Sequence, residues 1–211
     1  NHRQVLHQEE FVFNQHKIIE RDINPYIDEF WVLPMYDFAV DYMKMLTNKP
    51  VYVMPYVWTP EFAEMYCKHN NLDIRYYPEK KTLAKCSIVI MEPNMSIHKT
   101  ALLPLTIANY FNTKLPNRLY KVYVTCKKNH ERFNTIVNQF DMTKQNKVEI
   151  FDRIPTFNLL DAIQKHVNSC PIIISHNIYN RLNFLHLEMM YFGYPIIHNC
   201  YDFRERKCNI S

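Results

Sequence analysis

The sequence predicts an α/β protein built on a doubly wound parallel sheet, and three observations carry that expectation. Short apolar runs rich in Val, Ile and Tyr recur from Cys86 onward, and segments with helical spacing of their apolar residues lie between them. A composition that is 47% hydrophobic, 14% aromatic and 22% charged supplies a packed core rather than a disordered chain. Short strands separated by helices demand parallel pairing, because each crossover helix returns the chain to the start of the next strand and covers one face of the sheet.

Taken in order, Phe30-Trp31-Val32-Leu33-Pro34 reads as a short buried strand, and Tyr36 to Leu46 as a helix with Phe38, Tyr42 and Met45 or Leu46 in helical spacing. Val51-Tyr52-Val53-Met54-Pro55 reads as a second strand. Pro55, Trp58-Thr59-Pro60 and a helical stretch from Glu61 to His69 form a connector, since proline biases the residue before it to extended backbone and favours helix starts. The expected organisation is the end of a preceding domain over 1–54, a connector over 55–70 and a Rossmann-like domain over 71–211. Within the last, strands are expected at Cys86 to Met91, Leu119 to Thr125, Val148 to Phe151, Pro171 to Ser175 and Pro195 to His198. Helices fit at about Thr100 to Phe111, Glu131 to Phe140, Phe157 to Val167 and Leu182 to Phe192. The opening on Asn1 rather than Met reads as a fragment of a longer protein.

Composition excludes several function classes. Gly193 is the single glycine, so turns that need a left-handed residue must use Asn, Asp or Lys, of which Asn tolerates that conformation best. Both the dinucleotide fingerprint G-x-G-x-x-G and the Walker phosphate loop need glycines, which makes NAD-dependent dehydrogenases and P-loop NTPases poor candidates. A net charge of +4 with no long basic run, the nearest cluster being Lys80, Lys81 and Lys85, is no nucleic-acid footprint. Six cysteines, at 67, 86, 126, 170, 200 and 208, show no C-x-x-C pair or zinc spacing, and so read as reduced packing residues that suit a cytoplasmic compartment. Neither a signal peptide nor a membrane-length apolar run is present, and the sequons at Asn94 and Asn209 read as incidental.

In sheets of this class ligands bind beyond the carboxyl ends of the strands, so the loops that follow them are informative. One reads Glu92-Pro93-Asn94-Met95-Ser96-Ile97-His98-Lys99 and leads into a helix whose first turn must accommodate Pro104. Lys99 there suits a diphosphate, and it equally suits a solvated ammonium with Ser96 as the helix cap. The other loop reads Ser175-His176-Asn177-Ile178-Tyr179-Asn180-Arg181-Leu182-Asn183. The helix after it carries Leu182, Leu185, Met189 and Phe192 on one stripe, with Glu188 off that stripe, and ends at Gly193-Tyr194-Pro195. Glu188 could accept from the vicinal hydroxyls of a ribose or be a surface glutamate. His186 and His198 read as satisfied histidines of the packed domain.

The stretch from Ser175-His176 through Glu188 to Gly193-Tyr194-Pro195 and His198-Asn199 resembles the donor-site signature of GT-B glycosyltransferases, which are built from two Rossmann-like domains. In their retaining members a Glu, seven residues and a second Glu precede a helix end of the type Glu-x-x-x-x-Gly-x-Pro. Here Asn180, seven residues and Glu188 are followed by Gly193 and Pro195 at the matching offsets. The resemblance implies that Glu188 meets the donor ribose and that Lys99 meets the donor diphosphate, while Asn180 replaces the first Glu and loses its charge. It implies a donor site of Glu92, Asn94, Lys99, His176, Asn177, Asn180, Asn183 and Glu188. It further implies transfer of a sugar from a nucleotide-sugar donor without a bound catalytic metal or other cofactor, residues 1–54 being the end of the acceptor-side domain. The rivals are a non-catalytic structural or assembly relative that retains the fold, and a nucleotide-binding module with regulatory duty.

Overall fold

The computed structural model describes residues 26–80, 84–92, 99–125, 131–152, 154–178 and 182–200. It divides into two compact units, the first ending at Tyr56 and the second beginning at Val57. In the first, strand β1 (Phe30–Val32) is followed by a 3-10 segment (Pro34–Ala39), helix α1 (Val40–Thr47) and strand β2 (Val51–Val53). The two strands pair in parallel, Phe30 opposite Val51 and Val32 opposite Val53. Where the spacing suggests one helix from Tyr36, the chain starts as a 3-10 turn because Pro34 opens it and Tyr36 departs from helical angles.

The second unit begins with helix α2 (Glu61–His69), then strand β3 (Cys86–Ile90), helix α3 (Leu102–Lys114), strand β4 (Leu119–Thr125), helices α4 (Glu131–Val137) and α5 (Asp141–Lys144), and strand β5 (Val148–Phe151). Helix α6 (Thr156–His166), strand β6 (Cys170–Ser175), helix α7 (Phe184–Tyr191) and strand β7 (Ile196–His198) complete it. Of the segment read from sequence as a connector, 55–70, residues 57–70 group with this unit, and Ala63 and Cys67 of α2 are buried in its core. Where one helix was expected over Glu131 to Phe140, the chain breaks after Val137. Phe140 takes an extended conformation, and the Thr143 hydroxyl donates to the Val137 carbonyl at 2.7 Å.

The five strands pair in parallel in the order β5-β4-β3-β6-β7, giving a Rossmann-like doubly wound sheet. Helices cover both faces, and the strands alternate between them with the period of two that a pleat imposes. Ile88, Ile90, Val122, Val124 and Ile174 pack with Leu105 and Ala108 of α3, Phe133 and Val137 of α4 and Met142 of α5. Val89, Met91, Tyr123 and Ile173 pack on the other side with α2, with Leu160 and Ile163 of α6, and with Met189 of α7. The chain runs outward from β3 to β5, then crosses to β6 on the other side of β3, so the winding reverses between β3 and β6.

Local turns follow from the shortage of glycine. Asn48, Asn71 and Asn146 adopt positive φ of 52°, 53° and 56°, and Gly193 takes φ 86° after α7. Among the described residues Cys67, Cys86 and Cys170 join no disulfide, while Cys126 and Cys208 lie outside them. No helix of the described residues is long and apolar enough to cross a membrane.

Candidate functional site

The winding sends the chain from β3 to α3 on one face of the sheet and from β6 to α7 on the other, the arrangement that marks a switch point at the carboxyl ends of these neighbouring strands. The side chains just beyond both strands form one buried polar cluster. Glu92, two residues past β3, is 2% exposed, and its Oε1 accepts from the Ser175 hydroxyl, from the His176 backbone N–H at 3.2 Å and from Asn177 Nδ2 at 3.4 Å. Burial raises its carboxyl above the usual range, opposed by the Ser175 hydrogen bond, the Lys99 charge and the other hydrogen bonds.

Ser175, the last residue of β6, is the hub. Its hydroxyl donates to Glu92 and receives Asn177 Nδ2 at 2.9 Å, with His186 Nε2 at 2.7 Å. A hydroxyl has one hydrogen and two lone pairs, so once that hydrogen goes to Glu92 the His186 Nε2 must be the donor. His186 is fully buried on α7, its ring centroid 5.1 Å from that of His198 on β7. Burial, then the His198 and Lys99 charges, lower its pKa to about 4, which keeps the imidazole neutral at physiological pH. The backbone after Ser175 is pinned as well. Asn177 N–H donates to Asn199 Oδ1 at 2.9 Å, Asn199 Nδ2 returns to the Asn177 carbonyl at 3.0 Å, and Asn177 forms an antiparallel bridge with Lys99.

Of the residues singled out from sequence, Glu92, Lys99, His176 and Asn177 therefore come together. Asn183 is the N-cap of α7, its side-chain oxygen accepting from Leu185 N–H at 3.2 Å. Glu188 lies further along α7, half-buried, with its carboxyl raised by burial; its charge is felt at Cys67 on α2, and its side chain joins no hydrogen bond or ion pair among the described residues. Asn94 and Asn180 lie outside the described residues, as does Ser96. The described start of α3 is served instead by Thr100, whose hydroxyl accepts from Leu102 N–H at 3.2 Å, and Pro104 falls in the first turn.

Sequence reading missed Ser175 and His186 as members of the cluster. Their signal was that His186 stands three residues before Met189, on the buried side of α7, where an imidazole needs a partner. A separate cleft of about 160 Å3, lined by Asp73, Arg75, Tyr77, Lys80, Gln164 and Lys165, includes the last turn of α6 and so lies toward the amino ends of the strands, away from this cluster. Among the described residues no group of three or more His, Cys, Asp and Glu side chains is placed to hold a metal ion.

Fold and site together define a Rossmann-like domain with a polar, side-chain-built switch point. The chain belongs to the family described as "Protein of unknown function (DUF2827)", which matches residues 1–206. Comparison with curated proteins gives no match.

Proposed function

We propose that this chain carries the nucleotide-sugar-binding half of a two-domain, metal-independent glycosyltransferase that acts in the cytoplasm. The observation that carries the reading is the convergence of Glu92, Lys99, His176 and Asn177 where the strand order reverses, the place where doubly wound sheets take nucleotide ligands. Lys99 offers the ammonium for a diphosphate. Glu188, partly buried and without an ion-pair partner among the described residues, offers a carboxylate for ribose hydroxyls. Asn180 in place of a glutamate favours a second reading, a non-catalytic relative that keeps the fold.

Calorimetric titration with nucleoside diphosphates, together with transfer or hydrolysis assays over a panel of nucleotide sugars, tests both readings. Glu188→Ala should weaken nucleoside diphosphate binding by on the order of 1 to 3 kcal/mol, the usual cost of a charge-assisted hydrogen bond. Lys99→Ala should weaken diphosphate binding more than nucleoside binding. Unchanged affinity in both variants would remove the donor-site assignment, and binding without turnover of any donor would favour the non-catalytic relative.

A further inference from the structure

Beyond the strand ends, the cluster leaves two buried polar atoms in the loop after β6 without a hydrogen-bond partner among the described residues: Asn177 Oδ1 and His176 Nδ1. Asn177 is 3% exposed, and its Nδ2 is engaged by Glu92 Oε1 and Ser175 Oγ. Turning the amide over would set its oxygen against the carboxylate oxygen and against a hydroxyl whose hydrogen already goes to Glu92. The unpartnered atom is therefore an acceptor. The Asn199 bonds and the Lys99 bridge fix the backbone that carries it, so the acceptor is held in place before any ligand arrives. Native proteins keep few buried polar atoms unpaired, and one at a switch point is a place for a ligand atom.

The chemistry of that atom selects its partner. An ionised phosphate offers only acceptor oxygens, which Asn177 Oδ1 and the neighbouring Glu92 carboxylate both repel. A sugar hydroxyl donates its single hydrogen to Asn177 Oδ1 and can accept from His176 Nδ1–H, while in the other tautomer of that ring a second hydroxyl donates to Nδ1. We propose that Asn177 and His176 form a hydroxyl-binding subsite, so that the sugar ring of the donor, rather than its diphosphate, lies against the end of β6. This rests on the nucleotide-sugar reading above and adds to it which part of the ligand meets the switch point.

The test uses calorimetry on the unaltered chain with UDP-hexoses and GDP-hexoses, the parent UDP and GDP, and analogues of the bound hexose in which one ring hydroxyl at a time is replaced by fluorine. Fluorine cannot donate, so one position should lose affinity by roughly tenfold, the scale of a single buried hydrogen bond. Asn177→Ala should lose a similar factor for the hexose conjugate, keep its affinity for the parent diphosphate within about twofold, and no longer respond to the sensitive fluorine position. The fluorine series on the unaltered chain stands even where the variant fails to fold. If the conjugates bind and no fluorine position alters affinity, the subsite is wrong while the nucleotide-sugar reading survives. If neither nucleoside diphosphates nor their hexose conjugates bind, that reading falls and the subsite with it.

Discussion

Ser175→Ala removes the hub of the buried cluster while leaving the packing of β6 almost unchanged. Ser175 is 5% exposed, and its hydroxyl donates to the Glu92 carboxylate and receives His186 Nε2 at 2.7 Å and Asn177 Nδ2 at 2.9 Å. Asn177 keeps Glu92 as an acceptor, so its loss is small. Glu92 loses one charge-assisted bond, worth about 1.5 to 3 kcal/mol, and His186 Nε2 loses its hydroxyl partner inside the core, at about 1 to 3 kcal/mol. With partial relaxation the net cost is on the order of 3 kcal/mol. Urea unfolding followed by circular dichroism reads it directly: at an m-value of about 2 kcal/mol/M the midpoint should fall by roughly 1.5 M with the slope unchanged. A fall under about 0.3 M would mean that Ser175 is not the hub of the hydrogen bonds described here.

The remaining predictions address pH, caps and the turn after α7. His186 has a folded pKa of about 4, below its unfolded value of about 6.5, so the unfolded chain takes up the proton first as pH falls. Stability from this residue is therefore full above about pH 6.5 and declines by about 3 kcal/mol on the way down to pH 4. The His186 ring signals in an NMR titration should move near pH 4, and a midpoint near 6.5 would refute the burial argument. Glu92 acts with the opposite sign, its raised carboxyl favouring the folded chain where protonated and that contribution fading as pH rises through its folded value. Asn183→Ala removes the cap of α7 and should cost about 1 kcal/mol in the same unfolding assay. Gly193→Ala places a Cβ at φ 86°, where its nearest neighbours on Tyr76 stand 3.8 Å away; backbone strain alone should cost about 1 to 2 kcal/mol, and an unchanged midpoint would contradict the left-handed turn.

Much of the sheet was legible because its strands are brief and apolar. Leu119–Thr125 and Val148–Phe151 match the expected runs at both ends, and the two charged residues that interrupt them, Lys121 and Glu149, pair with each other across the strands at 2.9 Å. The break between α4 and α5 was not legible, because it is settled by one extended residue, Phe140, inside a stretch whose apolar spacing suits a helix. Lys99 and Asn177 could be nominated from their places after strands, but not their bridge, which depends on β3 and β6 being neighbours. Ser175 escaped notice because a serine at a strand end carries no local sign of its partners, which lie 83 residues back and 11 residues ahead.

The geometry sorts the polar residues at this edge into two kinds, and measurement can separate them. Ser175 and His186 turn their polar atoms toward the cluster itself, so their removal should act first on stability and reach a ligand only through the positions of Glu92 and Asn177. The Lys99 ammonium and the Glu188 carboxylate make no ion pair among the described residues, so their removal should leave unfolding nearly unchanged while altering affinity. Half-buried side chains that satisfy no partner leave none orphaned when truncated, so the folding cost stays below that of Ser175→Ala. Setting unfolding midpoints beside binding constants for the four alanine variants should therefore give two groups, one displaced mainly along stability and the other mainly along affinity. If Lys99→Ala and Glu188→Ala instead moved with Ser175→Ala along the stability axis, the edge would be a structural polar core, and the donor site would have to be sought elsewhere on the domain.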